Sequence, residues 1–266
     1  MKEIALQITN EAKNQKLNIL REYLQNYILF LMQKEGMNTS LYFVGGTALR
    51  FLYKIRRYSE DLDFSAGEGW NPSDISKRTK KIKSDLEKAG YSFTFHLKEE
   101  KTVQRAIFRF SELLYETGLT RQRNRKMPVH IEIDINPPSG WTGEKTIVDI
   151  HLPVLIQYYD LPSMFAAKLA AIFTRPYAKG RDVYDLFWYR TKWKELLPNF
   201  VLLNNALAQK QKDFKKVNED NWLEITREKI QSLKWRDIEN DVIPFLELRD
   251  DLHAFTQENL LLLVSL

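Results

Sequence analysis

Residues 41–65 read LYFVGGTALRFLYKIRRYSEDLDFS, and the order of apolar run, glycines and carboxylates within them decides the fold. Leu41-Tyr42-Phe43-Val44 is an apolar run of strand length that breaks at Gly45-Gly46. From Thr47 the pattern turns helical: Leu49, Leu52 and Tyr53 share one side, while Arg50, Lys54, Arg56 and Arg57 fall largely elsewhere. The chain returns as Asp61-Leu62-Asp63-Phe64, whose alternation sets both carboxylates on one strand face and Leu62 with Phe64 on the other. The expected unit is strand, glycine turn, helix, strand. Glycines allow close approach of a ligand to the backbone, and the unpaired amides of a helix start suit phosphate oxygens. Two carboxylates downstream suit a hard cation such as Mg²⁺ bridging to a triphosphate, and a second ion about 3.5–4 Å away can activate an attacking hydroxyl.

Composition bounds the rest. The 266 residues, 44% hydrophobic and 28% charged, are enough for one large or two modest globular domains. No stretch approaches the ~20 apolar residues of a membrane span, and the first thirty carry Lys, Glu and Arg throughout, so a cytoplasmic protein without a membrane partner is expected. The absence of Cys excludes disulfides and thiolate metal sites, and four His give little basis for zinc, but neither bears on carboxylate-bound Mg²⁺. A net charge of +5 is compatible with a nucleic-acid partner without demonstrating one. Local clusters say more: Lys77, Arg78, Lys80, Lys81 and Lys83 fall in one segment, and Arg121, Arg123, Arg125 and Lys126 in another.

Upstream, residues 3–35 carry Ile4, Ile8, Leu17, Leu20, Leu24, Ile28 and Leu31 at helical spacing and stop at Gly36. Downstream, Asn71-Pro72-Ser73-Asp74 opens a helix running to Gly90, and the alternating runs 91–95 and 106–110 predict a hairpin. The basic segment 121–126 leads into Val129-His130-Ile131-Glu132-Ile133-Asp134-Ile135-Asn136. Strict alternation there gives Glu132 and Asp134 one face and the isoleucines the other. His130 is read as structural or exposed. Residues 141–152 make an excursion or short hairpin, residues 154–159 a further strand, and Asp160-Leu161-Pro162-Ser163 starts a helix. A domain boundary is placed here, between 1–160 and 161–266. In the new helix Phe165, Leu169 and Ile172 form a buried stripe, and Lys168 and Arg175, seven apart, nearly eclipse at its edge. A lysine so placed can reach a phosphate while its stem stays packed. Lys179-Gly180-Arg181-Asp182-Val183-Tyr184-Asp185-Leu186 follows, where Asp182 could also cap the next helix. The remainder reads as amphipathic helices without repeats.

Gly45-Gly46-Thr47-Ala48-Leu49-Arg50 followed by Arg57-Tyr58-Ser59-Glu60-Asp61-Leu62-Asp63-Phe64 resembles the signature of the DNA polymerase β-like nucleotidyltransferases, and more narrowly of the AbiEii/AbiGii toxin family. Ile131-Glu132-Ile133, Lys168 in its Ala-rich helix and Arg181-Asp182-Val183-Tyr184-Asp185-Leu186 match further motifs of that family in order. The resemblance implies an α+β fold: a polymerase β-like nucleotidyltransferase domain, a small mixed sheet with flanking helices, over 1–160. A helical C-terminal domain over 161–266 would complete the nucleotide and acceptor site. It implies a Mg²⁺-dependent enzyme that transfers a nucleoside monophosphate from an NTP to an acceptor and releases pyrophosphate. Asp61, Asp63 and Glu132 would hold metal, with Asp134 the alternative third carboxylate on the same face. Gly45, Gly46, Thr47, Arg50 and Ser59 would bind the nucleotide together with Lys168, Arg175 and Arg181, and Asp182 would position the site. It further implies a toxin of a toxin–antitoxin or phage-defence system, with an RNA acceptor, the tRNA 3′ end, and a cognate antitoxin protein. Antibiotic-modifying or protein-modifying nucleotidyl transfer are alternatives within the same chemistry; a catalytically silent nucleotide- or RNA-binding module is one outside it.

Overall fold

Wherever the sequence alternates with period two the chain is extended, and wherever the apolar period lengthens it is helical. The computed structural model describes residues 1–211 and 213–265, which divide into two compact units. The first comprises residues 1–54, 58–136 and 144–158, and the second residues 55–57, 137–143 and 159–266.

The first unit begins with α1 (Lys2–Glu11) and α2 (Lys16–Lys34). Leu20, Leu24, Ile28 and Leu31 are buried as the periodicity requires, whereas Ile4 and Leu17 lie at the surface. β1 (Leu41–Val44) leads into α3 (Gly45–Tyr53), which starts two residues before the expected Thr47 because Gly45 takes a left-handed φ of 78° and turns the chain at once. β2 (Asp61–Ala66), α4 (Asp74–Lys88), the antiparallel pair β3 (Phe93–Glu99) and β4 (Val103–Phe110), the short α5 (Leu113–Glu116), β5 (Met127–Asp134), β6 (Gly143–Asp149) and β7 (Pro153–Tyr159) follow. The seven strands form one mixed sheet in the order β3-β4-β5-β2-β1-β7-β6. β2 lies at its centre, antiparallel to β1 and parallel to β5.

Alternation on those central strands builds the core. Leu62 and Phe64 of β2 and Ile131 and Ile133 of β5 are at most 3% exposed, and α2 packs over β5 and α4. The opposite face of the same strands is half-buried, and it carries every carboxylate of β2 and β5.

The second unit is helical: α6 (Leu161–Thr174), α7 (Gly180–Lys192), α8 (Phe200–Lys210), α9 (Trp222–Gln231), α10 (Trp235–Val242) and α11 (Gln257–Leu263). Asp160 caps α6 by accepting from the Ser163 amide at 2.9 Å, with Pro162 in the first turn. Phe165 stacks on Tyr189 with centroids 4.6 Å apart and meets Trp222 edge-on at 5.7 Å, which makes α6, α7 and α9 one core. α7 presses against α10 at Gly180, where a Cβ would stand 2.1 Å from the Ile238 carbonyl oxygen. Among the described residues no helix is long and apolar enough to cross a membrane.

Candidate active site

The register of the central strands decides which polar side chains become neighbours. β2 and β5 are paired so that Asp61 lies beside His130, Asp63 beside Glu132, and Ser65 beside Asp134. Residues paired in this way project from the same face, about 4.8 Å apart. Asp61, Asp63 and Glu132 are thus brought together, while Asp134 stands one row further along, where its Oδ1 accepts from the Asn136 amide at 2.9 Å. Glu132 and Asp134 share a face in the sequence pattern; only the register separates them.

Two members of the row, Asp61 and Glu132, are held by basic neighbours. His130 Nδ1 lies 3.1 Å from Asp61 Oδ1, and that hydrogen bond raises the imidazole above its ordinary range against the opposing effect of burial. Arg105 on β4 donates from Nε to Glu132 Oε1 at 2.9 Å and also meets Glu100 at 3.1 Å. These contacts are half-exposed, with the Asp61 and Glu132 side chains 36% and 30% accessible, so water screens them and a stronger cation can replace them. His130 was passed over in the sequence because a single histidine carries no spacing signal; its place beside Asp61 follows from strand pairing alone.

The glycine turn serves this row directly. A Cβ on Gly45 would stand 2.3 Å from Asp63 Oδ2, and the residue has positive φ besides, so no other residue type fits without moving the carboxylate. Asp63 therefore lies over the first residue of α3, where helix amides favour negative charge. Gly46 and Thr47 are buried in the same turn, and the Thr47 hydroxyl donates to the Asp61 carbonyl. Arg50 is turned to the protein: its Nε donates to Glu22 Oε2 at 2.6 Å and its guanidinium lies 4.5 Å from the Tyr58 ring centre. The Ser59 carbonyl accepts from Gln25 Nε2 at 3.2 Å.

The second unit contains a different arrangement. Asp185 is fully buried and receives Arg57 through both oxygens, Nε at 2.5 Å and a terminal nitrogen at 2.6 Å. Lys168 Nζ bridges Asp185 at 2.8 Å and Asp182 at 2.9 Å, and Arg175 closes the cluster on the other oxygen of Asp182. Burial pushes the Asp185 carboxyl up, but Arg57 and Lys168 outweigh it and hold the group below the usual carboxylate range. Arg57, off the apolar side of the helical pattern in the sequence, is 1% exposed. Asp182 lies inside the first turn of α7 and holds Lys168 and Arg175; it is not the cap, a position taken by Lys179. The Arg181 guanidinium lies 4.2 Å from the Phe245 ring centre.

Asp61, Asp63 and Glu132 present hard oxygen donors on adjacent strands, and that donor chemistry fits a divalent cation such as Mg²⁺. Among the described residues no three acidic or histidine side chains already converge as ligands, in keeping with the turn of Asp61 toward His130 and Glu132 toward Arg105.

Two solved structures share this fold. A presumptive nucleotidyltransferase from Helicobacter pylori superimposes with a TM-score of 0.53 at 18% identity, over 91% of this chain and 91% of that one. JHP933 from Helicobacter pylori does so with 0.52 at 17% identity, over 92% of this chain and 88% of that one. No curated protein sequence matches the chain. At these identities the likeness is one of fold. The sequence model of the AbiEii family, nucleotidyl transferase toxins of type IV toxin–antitoxin systems, matches residues 27–257, and the chain belongs to that family. The resemblance visible in the motifs is thereby confirmed, as is the mixed α and β architecture it implied.

Proposed function

We propose that this nucleotidyltransferase is a Mg²⁺-dependent toxin that transfers a nucleoside monophosphate from an NTP to an RNA acceptor, the 3′ end of tRNA. The acceptor hydroxyl oxygen forms a bond to the α-phosphorus, the bond from that phosphorus to the β-phosphate bridging oxygen breaks, and pyrophosphate leaves. Glu132, or Asp134 one row away, takes the hydroxyl proton. Asp61, Asp63 and Glu132 would hold the metal, which supplies charge neutralisation at the phosphoryl oxygens when bound. Gly45, Gly46 and Thr47, with Arg50 and Ser59, form the proposed nucleotide-binding turn. Lys168, Arg175 and Arg181 are assigned to the phosphates that depart, and Asp182 to positioning them.

The observation that carries the reading is the pairing of Asp63 with Glu132 beside Asp61 on one sheet face, in a chain of the AbiEii family. A second observation supports the cationic assignment. The Lys168 cluster sets three cations against two carboxylates, and Arg175, at 38% side-chain exposure, is its most accessible member. An excess positive charge held in a partly desolvated place is the electrostatic arrangement that lowers the barrier of phosphoryl chemistry. The toxin role implies a cognate antitoxin, a cytoplasmic site of action and a part in phage defence.

The test incubates the protein with Mg²⁺, each labelled NTP in turn and total tRNA. Label on tRNA that disappears in Asp63→Ala and Lys168→Ala, with both variants folded by thermal melting, supports the assignment. Label that survives Asp63→Ala removes it. Labelled protein or aminoglycoside with untouched tRNA redirects the acceptor, and expression toxicity equal in wild type and Asp61→Ala would mark a silent binder.

A further inference from the structure

The basic segment 121–126 has no part in the chemistry above, yet the fold sets it at one end of the carboxylate face. It enters β5 directly, and Lys126 lies four residues before His130, the residue paired with Asp61. At about 3.3 Å per residue along a strand and about 4.8 Å between strands, Lys126 is roughly 14 Å from Asp61 by backbone position. All six residues of the segment are exposed. Arg109 on β4 is paired with Pro128 and so projects from the same face.

Two guanidinium groups of this segment are unneutralised, whereas the one guanidinium of α4 is paired. Arg123 is bound to Glu112 at 2.9 Å and Lys126 donates to Thr94 Oγ1 at 3.4 Å, but among the described residues Arg121 and Arg125 join no ion pair. On α4, by contrast, Arg78 holds Asp74 at 3.3 Å, Lys81 holds Glu35 at 2.8 Å and Lys83 holds Glu87 at 3.5 Å. Two unneutralised guanidinium groups, Arg121 and Arg125, on an exposed turn match a chain of phosphodiesters, each of which accepts paired N–H donors.

We propose that Arg121, Arg125 and Lys126, with Arg109, bind the phosphodiester backbone of the acceptor RNA just before the hydroxyl that receives the nucleotide. The inference rests on nucleotidyl transfer to RNA, and it divides the labour on one sheet face: the basic end sets acceptor affinity and the carboxylate row performs the transfer.

The wild-type protein and the triple variant Arg121→Glu/Arg125→Glu/Lys126→Glu are compared by fluorescence anisotropy on labelled tRNA over a range of salt, with NTP binding and thermal melting alongside. The variant is expected to bind tRNA at least tenfold more weakly at moderate salt. Its plot of log affinity against log salt is expected to be shallower by about 2, from roughly 0.7 for each of three lost phosphate contacts on a single strand. NTP affinity and melting temperature are expected to stay at wild-type values. An unchanged tRNA affinity and salt slope, in a protein whose wild type labels tRNA, overturns the inference alone. Poly-glutamate that competes with tRNA as well as an RNA of equal charge overturns it too, and marks the segment as a seat for an acidic protein. A wild type that labels no RNA overturns the underlying reading and this inference with it.

Discussion

The carboxylate row on the sheet and the ion cluster among the helices use the same residue types to opposite ends. On the sheet, Asp61 and Glu132 are about one-third accessible, and each meets a basic side chain of comparable exposure. Among the helices, Asp185 is wholly buried and saturated by Arg57 and Lys168. An exposed pair contributes little and exchanges partners readily, whereas a buried one costs much to desolvate and more to break. The row's partners are therefore exchangeable, as the cation and substrate roles proposed for it require, and the cluster's partners are fixed in place. Activity and stability ought to respond to different substitutions.

The largest effect is expected at the cluster. Asp185→Ala leaves Arg57 and Lys168 charged and without their buried acceptor, and should cost about 3–5 kcal/mol in urea unfolding. Its pH dependence has a definite sign. Because the folded carboxyl titrates below its ordinary value of 3.8, its stabilisation is fully present above that value and is lost as the pH falls toward the lower, folded one. Acid unfolding of wild type should steepen there, and the Asp185→Ala variant should lack that component. A variant as stable as wild type would end the distinction drawn between the two regions.

Next comes the row. Asp63→Asn keeps the shape of the side chain and removes its charge, so transfer should fall by on the order of 10²–10³ while the melting temperature holds. A melting temperature that drops as far as that of Asp185→Ala would mean that the row is structural as well. Gly45→Ala combines both failures at lower cost. Positive φ and the approach to Asp63 Oδ2 should destabilise by roughly 1–2 kcal/mol, and the displaced carboxylate should lower transfer further than that loss of stability explains.

What could be read from the sequence follows the same division. Alternation alone put Asp61 with Asp63 and Glu132 with Asp134, because a strand's period is local and every residue reports it. Register is not local: nothing in residues 127–134 says that Glu132 and not Asp134 will meet Asp63, or that His130 will meet Asp61. Gly45 was recognisable as a turn, but its reason is a carboxylate eighteen positions later that leaves no room for a Cβ. Arg57 misled for the same cause. It follows a helix as an ordinary basic residue, and only Asp185, 128 positions away, makes its burial possible. Motifs matched by family resemblance supplied Lys168 and Asp182 as a pair, while Arg57, which shares Asp185 with Lys168, opens a matched motif that gave it no role.

The smallest effect is the one that most sharpens the comparison. Arg105 holds Glu132 with side chains 35% and 30% exposed, and Arg105→Ala should change stability by no more than about 1 kcal/mol, since water screens such a pair. Its influence on metal is expected in the favourable direction: a Glu132 released from guanidinium is a freer ligand, so Mn²⁺, used as a probe for Mg²⁺, should bind somewhat tighter by calorimetry. Were Arg105 instead a prop that aims Glu132, the same substitution would weaken Mn²⁺ binding, and Arg105→Lys would restore part of it. The sign of that one change separates a partner the row exchanges from a partner the row requires.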